Sequence, residues 1–282
     1  MIRLTRNLSK AATRFTLPAR RKDNLKLFRD GLEGNAKPDS AVWKAAKPQL
    51  KAESFGKCAY CEAPTSTVAH GDVEHFRPKD TYWWWSYCYF NYAYGCQVCN
   101  QSNKGVKFPL RADGVQIPAP VKPTPLDDTT IAALIDTLVP NPFDGDPAAA
   151  LTAFRTAITG EGALLVDPYE DVPEPFFRYS VKTGTREVHI APAATTGKPL
   201  QRSKATIEVL GLNREELVGH RYKIYSVLEL ARMACASTDA AFKKAGEDLL
   251  RDAMAPDADH AGMARYFVLK KWKLVIPPLI PP

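Results

Sequence analysis

Two Cys-x-x-Cys pairs, Cys58/Cys61 in CAYC and Cys96/Cys99 in CQVC, constrain this chain more than any other feature. Each pair has the spacing of a knuckle that turns two thiolates toward one ion, and two knuckles complete a tetrahedral four-thiolate zinc site. Neither pair sits in a thioredoxin-like strand and helix, so structural zinc is expected rather than a redox dithiol, and a reducing compartment argues against disulfides. Four thiolates leave no position for water, which makes such a site structural and not catalytic. Cys88 and Cys235 fall outside the pattern and read as small apolar side chains.

The pairs are 34 residues apart, more than the roughly 15 to 20 of a simple zinc ribbon. The insert contains DVEHFRP over residues 72–78, with Glu74 and His75 adjacent, and then Asn91. Asn100 follows the last cysteine directly, and Lys104 comes four residues later. Taken alone, His75 reads as a further zinc ligand, a hydrogen-bonded core histidine or a general base. Since the cysteines suffice for zinc, the first of these loses its motive.

With 282 residues and 45% hydrophobic content, the chain can bury a sizeable core in one or two domains. No run approaches the roughly 18 apolar residues of a membrane span. The start MIRLTRNLSK lacks the apolar stretch of a secretory signal, so a cytoplasmic location without membrane partners is expected, although an Arg-rich, acid-poor start also fits a mitochondrial presequence. Through Asp30, nine Lys/Arg stand against two Asp/Glu, which places the whole net charge of +7 on this segment. Such a basic arm suits an anionic partner through counterion release, or is simply a solvated terminus.

Four regions are expected. Residues 1–57 form the basic arm and a helix near 40–51, capped by Ser40, with Trp43, Ala46 and Leu50 inward. Residues 58–110 are the chemical centre. Residues 111–160 form a connection in which seven prolines between 118 and 147 exclude one continuous helix or a central strand and suggest an irregular or covering loop. Residues 161–282 carry a hairpin, 176–181 with 186–190 around KTGT, and then helices. One of these follows a capping box of Asn213 and Glu216, and another covers 238–254. Three successive tryptophans in 82–85 cannot share one face, so they read as packing against the knuckles or arm rather than as base-stacking groups. Asp167, Glu170 and Asp171 read as a turn, while His70, His189, His220 and His260 lack metal-ligand spacing.

CAYCE, DVEHFRPK and FNYAYGCQVCNQSNKG together resemble the HNH nuclease family in its zinc-stapled form, over residues 58–110. The resemblance implies an α+β fold: a ββα-metal HNH core with four-cysteine zinc knuckles, followed here by a mainly helical C-terminal region. It implies that Glu74 and Asn100 ligate a catalytic magnesium or manganese, that His75 is the general base, and that Asn91 holds the hairpin and orients the histidine. Lys104, Arg77 and Lys79 would then meet the phosphate backbone, and Asp72 would support the site or sit at the strand edge. Asparagine at the last position, where histidine is commoner, favours a hard cation. EHFRPK, TYWWWSYCYFNYAYGC, FPL, LLVDPYEDVPEPFF and TIEVLGLNREELVGHR extend the resemblance to HNH proteins of Septu and retron-associated antiphage systems, which work with an ABC or SMC-like ATPase. The implied function is a DNA-cleaving effector; the alternative is a zinc-stapled nucleic-acid-binding adaptor without catalysis.

Overall fold

Tyr82, Trp84, Trp85, Cys88 and Phe90 are buried together, and they organise one of two compact units in the computed structural model, which describes residues 1–9, 12–65 and 71–277. His70 lies outside the described residues. This unit comprises Thr5–Glu53 and His70–Leu164. Its elements are α1 (Ala19–Leu32), α2 (Ser40–Lys44), α3 (Lys47–Glu53), β1 (Asp72–His75), β2 (Tyr92–Gly95), α4 (Asp128–Leu138) and α5 (Pro147–Ala157). The tryptophans are packing residues and meet α1 of the N-terminal segment as expected, but they also meet α4 and α5: their cluster includes Phe28, Ile131, Ile135 and Phe154.

The proline-containing segment is therefore more ordered than a covering loop. Asp127 closes a capping box with Thr130 at the start of α4, and Asp146 accepts from Ala148 N at the start of α5 with Pro147 in the first turn. The prolines stand at helix starts and between helices, where a missing N–H costs nothing. The helix expected over 40–51 is interrupted instead. Asp39, not Ser40, caps α2 by accepting from Ala41 N, and Pro48 has no N–H to continue the hydrogen-bond ladder from residue 44. Ala46 and Leu50 are buried as expected, and Trp43 is half-buried.

The N-terminal segment is not a free basic arm. Arg6 donates to the carbonyls of Phe90 and Tyr92 and pairs with Glu53 at 3.4 Å. Arg20 is buried and pairs with Asp144 at 3.1 Å, while Arg14, Arg21 and Arg29 pair with Asp23, Asp136 and Asp128. Most of the charge counted there is neutralised within the fold, leaving Lys22 and Lys26 exposed on α1.

Arg77 is a second correction, because it does not reach the surface. Asn91 holds the Arg77 backbone at both ends, Oδ1 accepting from its N at 2.9 Å and Nδ2 donating to its O at 3.0 Å. The guanidinium turns inward, 2.6 Å from Glu161 Oε2 and 5.5 to 5.6 Å from the ring centres of Phe76, Trp85, Phe108 and Phe154. Arg77→Met would strand the Glu161 carboxylate among these rings, and we expect a loss of about 3–5 kcal/mol in urea denaturation. The double variant with Glu161→Leu should recover most of it; a single-variant loss below about 1 kcal/mol would contradict a buried pair.

The other unit comprises Met1–Leu4, Ser54–Ala69 and Leu165–Pro282. It holds the expected hairpin, β3 (Phe177–Lys182) antiparallel to β4 (Glu187–Pro192) with Tyr179 opposite Ile190. It continues through α6 (Gly197–Val209), α7 (Glu215–Cys235), α8 (Ala240–Ala253) and α9 (Ala261–Arg265). Asn213 caps no helix: its side chain accepts from Ile190 N and donates to Ile190 O, tying the start of α7 to β4. The acidic cluster is a turn, with Asp171 N bonded to Asp167 O and the Asp171 carboxylate gripped by Arg202. His220 and His260 meet ring to ring, Nδ1 to Nε2 at 3.0 Å, and His189 pairs with Glu187.

Candidate functional site

β1 and β2 pair antiparallel, placing Glu74 opposite Ala93 and His75 opposite Tyr92. Within the second knuckle the chain enters a helix over Val98–Lys104 in a widened turn that includes Cys99, with Gly105 N donating to Asn100 O five residues back. Gly105 ends it at φ +52, a conformation that suits glycine. Strand and helix thus bring Glu74, His75 and Asn100 to one cleft of about 260 Å³, whose walls also include Trp43, Lys79 and Asp80.

His75 is 8% exposed. Its Nε2 lies 3.0 Å from Ser86 O, which also accepts from Tyr92 Oη at 2.6 Å. A carbonyl only accepts, so Nε2 carries the proton and Nδ1 keeps its lone pair. Trp43 and Tyr92 stand edge-on to the imidazole with centroids at 5.1 Å. Burial pushes its pKa down to about 4, against the opposing pull of the Ser86 hydrogen bond, so the ring is neutral at ordinary pH.

Glu74 is buried beside Lys104, with Nζ 2.5 Å from Oε1. Burial pushes this carboxyl up to about 7 while the ammonium opposes the shift. Lys104, expected on a phosphate, is 1% exposed and also donates to His75 O at 2.9 Å. It therefore supports the cleft from inside rather than facing solvent. Asn91 is fully buried, and its side-chain partners belong to Arg77, not to the His75 ring. Asp72 caps its own strand at Val73 N. Lys79 retains 40% of its side-chain exposure, the one expected phosphate-binding side chain still open at the cleft.

A hard divalent cation is the ion this donor set suits. Glu74 brings a buried carboxylate, whose Oε1 is held by Lys104, and Asn100, a residue with an amide oxygen, lines the same cleft. The cysteines make a different site. Their four Sγ atoms lie within 4.8 Å of one another, and a tetrahedron with Zn–S near 2.3 Å requires sulfurs about 3.8 Å apart. The donor set fits zinc. It is also the one group of three or more His, Cys, Asp or Glu ligands brought together among the described residues.

Several supports of the knuckles were not read from the sequence. Lys57 Nζ donates to Pro256 O and Ala258 O at 2.6 Å each, Glu62 accepts from Gly262 N at 3.1 Å, and Arg214 Nη2 donates to Cys61 Sγ at 3.7 Å. In the second knuckle Cys99 N donates to Cys96 Sγ at 3.4 Å. Glu62 was visible as the residue following CAYC, but its partner lies 200 residues away. Trp43 and Asp80 likewise line the cleft without having been marked as candidates.

These features define a mixed helix and small-sheet protein with a four-cysteine cluster and a separate cleft lined by a glutamate and a histidine. The chain is a distant homologue of Septu protein PtuB from Bacillus mycoides (strain KBAB4), with 25% identity over 203 residues, 67% of this chain and 54% of that protein. It thus matches about half the length of this relative. No protein-family model matches the chain, and no solved structure matches it.

Proposed function

We propose that this chain is a metal-dependent HNH endonuclease that hydrolyses phosphodiester bonds in DNA and serves as the nuclease effector of an antiphage system. The observation that carries this reading is that His75, held through Nε2 by Ser86 O, lines one cleft with Glu74 and Asn100, two residues that carry oxygen donors. The β1–β2 hairpin and the Val98–Lys104 helix are the parts that would serve as its ββα-metal core.

His75 accepts the proton of the attacking water at Nδ1, and Ser86 O holds the ring through Nε2. Asn91 fixes the chain just beyond His75, so it acts by positioning. Glu74 and Asn100 would hold a magnesium or manganese ion, which would supply positive charge where the phosphate and leaving oxygen become more negative. Lys79 reaches the phosphate backbone from the rim. The Septu relative supports a role in defence and a further Septu component as partner, which the longer resemblance suggests is an ABC or SMC-like ATPase.

Supercoiled DNA incubated with magnesium or manganese, with and without such an ATPase, tests this reading. The wild type should nick and His75→Ala should not. Equal nicking by both, or none by either, would leave the zinc-stapled adaptor as the better account. The exposed face of α1 gives a separate expectation: Lys22→Gln with Lys26→Gln should flatten the dependence of log K on log salt by about 1.8 if both contact phosphates. An unchanged slope removes α1 from the interface.

A further inference from the structure

Lys104 occupies an unusual place for a cation, buried against two of the residues that line this cleft. Its Nζ is 2.5 Å from Glu74 Oε1 and 2.9 Å from His75 O, and both side chains of the ion pair are almost wholly buried. It is four residues beyond Asn100 on the same helix, so this helix supplies both a donor for a divalent ion and a competitor for that ion's carboxylate. A divalent ion binds a carboxylate oxygen at roughly 2.0–2.1 Å. The Oε1 direction cannot hold that ion and the ammonium together, because their volumes overlap and their charges repel.

We infer that Lys104 is the resident counter-ion of Glu74, and that a divalent metal binds by displacing its ammonium from Oε1. This rests on the nuclease reading for the metal, and goes beyond it by making Lys104 the residue that sets metal affinity. In the metal-free protein the ammonium keeps a buried carboxylate in position. On metal binding, the freed lysine is delivered to the same cleft, where a phosphate is the available anion.

The test is Mn²⁺ binding to the zinc-loaded full chain, read from the electron paramagnetic resonance signal of free Mn²⁺. Wild type is compared with Lys104→Met, Lys104→Gln, Glu74→Gln and the Glu74→Gln/Lys104→Met double variant. Removing the competing charge should tighten Mn²⁺ binding at least tenfold in the Lys104 variants, and the double variant should match Glu74→Gln. Unchanged or weaker binding in folded Lys104 variants overturns the inference, as it would if the metal used Oε2 and left the ion pair intact.

If Glu74→Gln binds Mn²⁺ as wild type does, the metal is not at Glu74 and the nuclease reading fails with it. If Glu74→Gln loses the ion but the Lys104 variants bind unchanged, only the displacement fails. Should neither Lys104 variant fold, wild type decides the matter: reductive methylation of Lys104, followed by mass spectrometry, should rise on adding Mg²⁺. Equal labelling with and without Mg²⁺ overturns displacement.

Discussion

Cys58→Ser is expected to lose its zinc and to be the most damaging single substitution in the chain. A serine hydroxyl stays protonated at neutral pH, so the variant offers three anionic ligands where a closed zinc site needs four. Structural zinc contributes on the order of 10 kcal/mol in small zinc-dependent folds, comparable with the roughly 5–15 kcal/mol that holds a whole domain folded. Elemental analysis should fall from about one zinc per chain to almost none, and amide exchange around residues 54–65 should accelerate. Cys88→Ser is the matched control. Its thiol is buried, donates to Pro140 O at 3.7 Å, and is pushed up to about 11 by burial, which is no environment for a metal-binding thiolate. Full zinc content in Cys58→Ser, or its loss in Cys88→Ser, would contradict the four-cysteine assignment.

The contrast between these cysteines explains what was legible from sequence. Knuckle spacing is local: the two residues between Cys58 and Cys61, or between Cys96 and Cys99, are enough to turn both side chains to one side. The KTGT hairpin was legible for the same reason, its turn and flanking strands being contiguous. Glu74, His75 and Asn100, singled out by the order they share with the resembled family, line one cleft.

What failed depended on distant partners. Nine basic residues through Asp30 read as a basic arm for an anionic partner or a solvated terminus, because a charge count does not register that Arg20 will meet Asp144 and Arg21 will meet Asp136, 124 and 115 residues away. Arg77 resembled a phosphate ligand until Glu161, 84 residues on, supplied its carboxylate inside an aromatic cage. Lys104 turned inward because Glu74 lies across the hairpin from its helix. The prolines were correctly read as breakers, but their number obscured two helices that fit between and after them, including eleven-residue α4.

His75→Ala should lower DNA cleavage by roughly 10²- to 10⁴-fold, the usual range for a positioned general base, while leaving zinc content unchanged. The pH dependence makes the prediction more specific than loss of activity alone. An ordinary histidine would protonate near 6.5 and produce an acid limb there. Burial holds His75 down to about 4, so its imidazole should remain neutral, as read by NMR of the ring carbons, throughout the range in which an exposed histidine titrates. The same shift has a definite sign for folding. Because the folded pKa is below the unfolded value, the contribution of neutral His75 to stability is fully present above about 6.5 and is lost as pH falls toward 4. His75→Ala should therefore flatten the stability profile over that interval as well as slow cleavage. A wild-type ring that titrates near 6.5 would mean that the Ser86 and Tyr92 environment does not exclude water, and Nδ1 would then lack the buried setting on which its role as a neutral base depends.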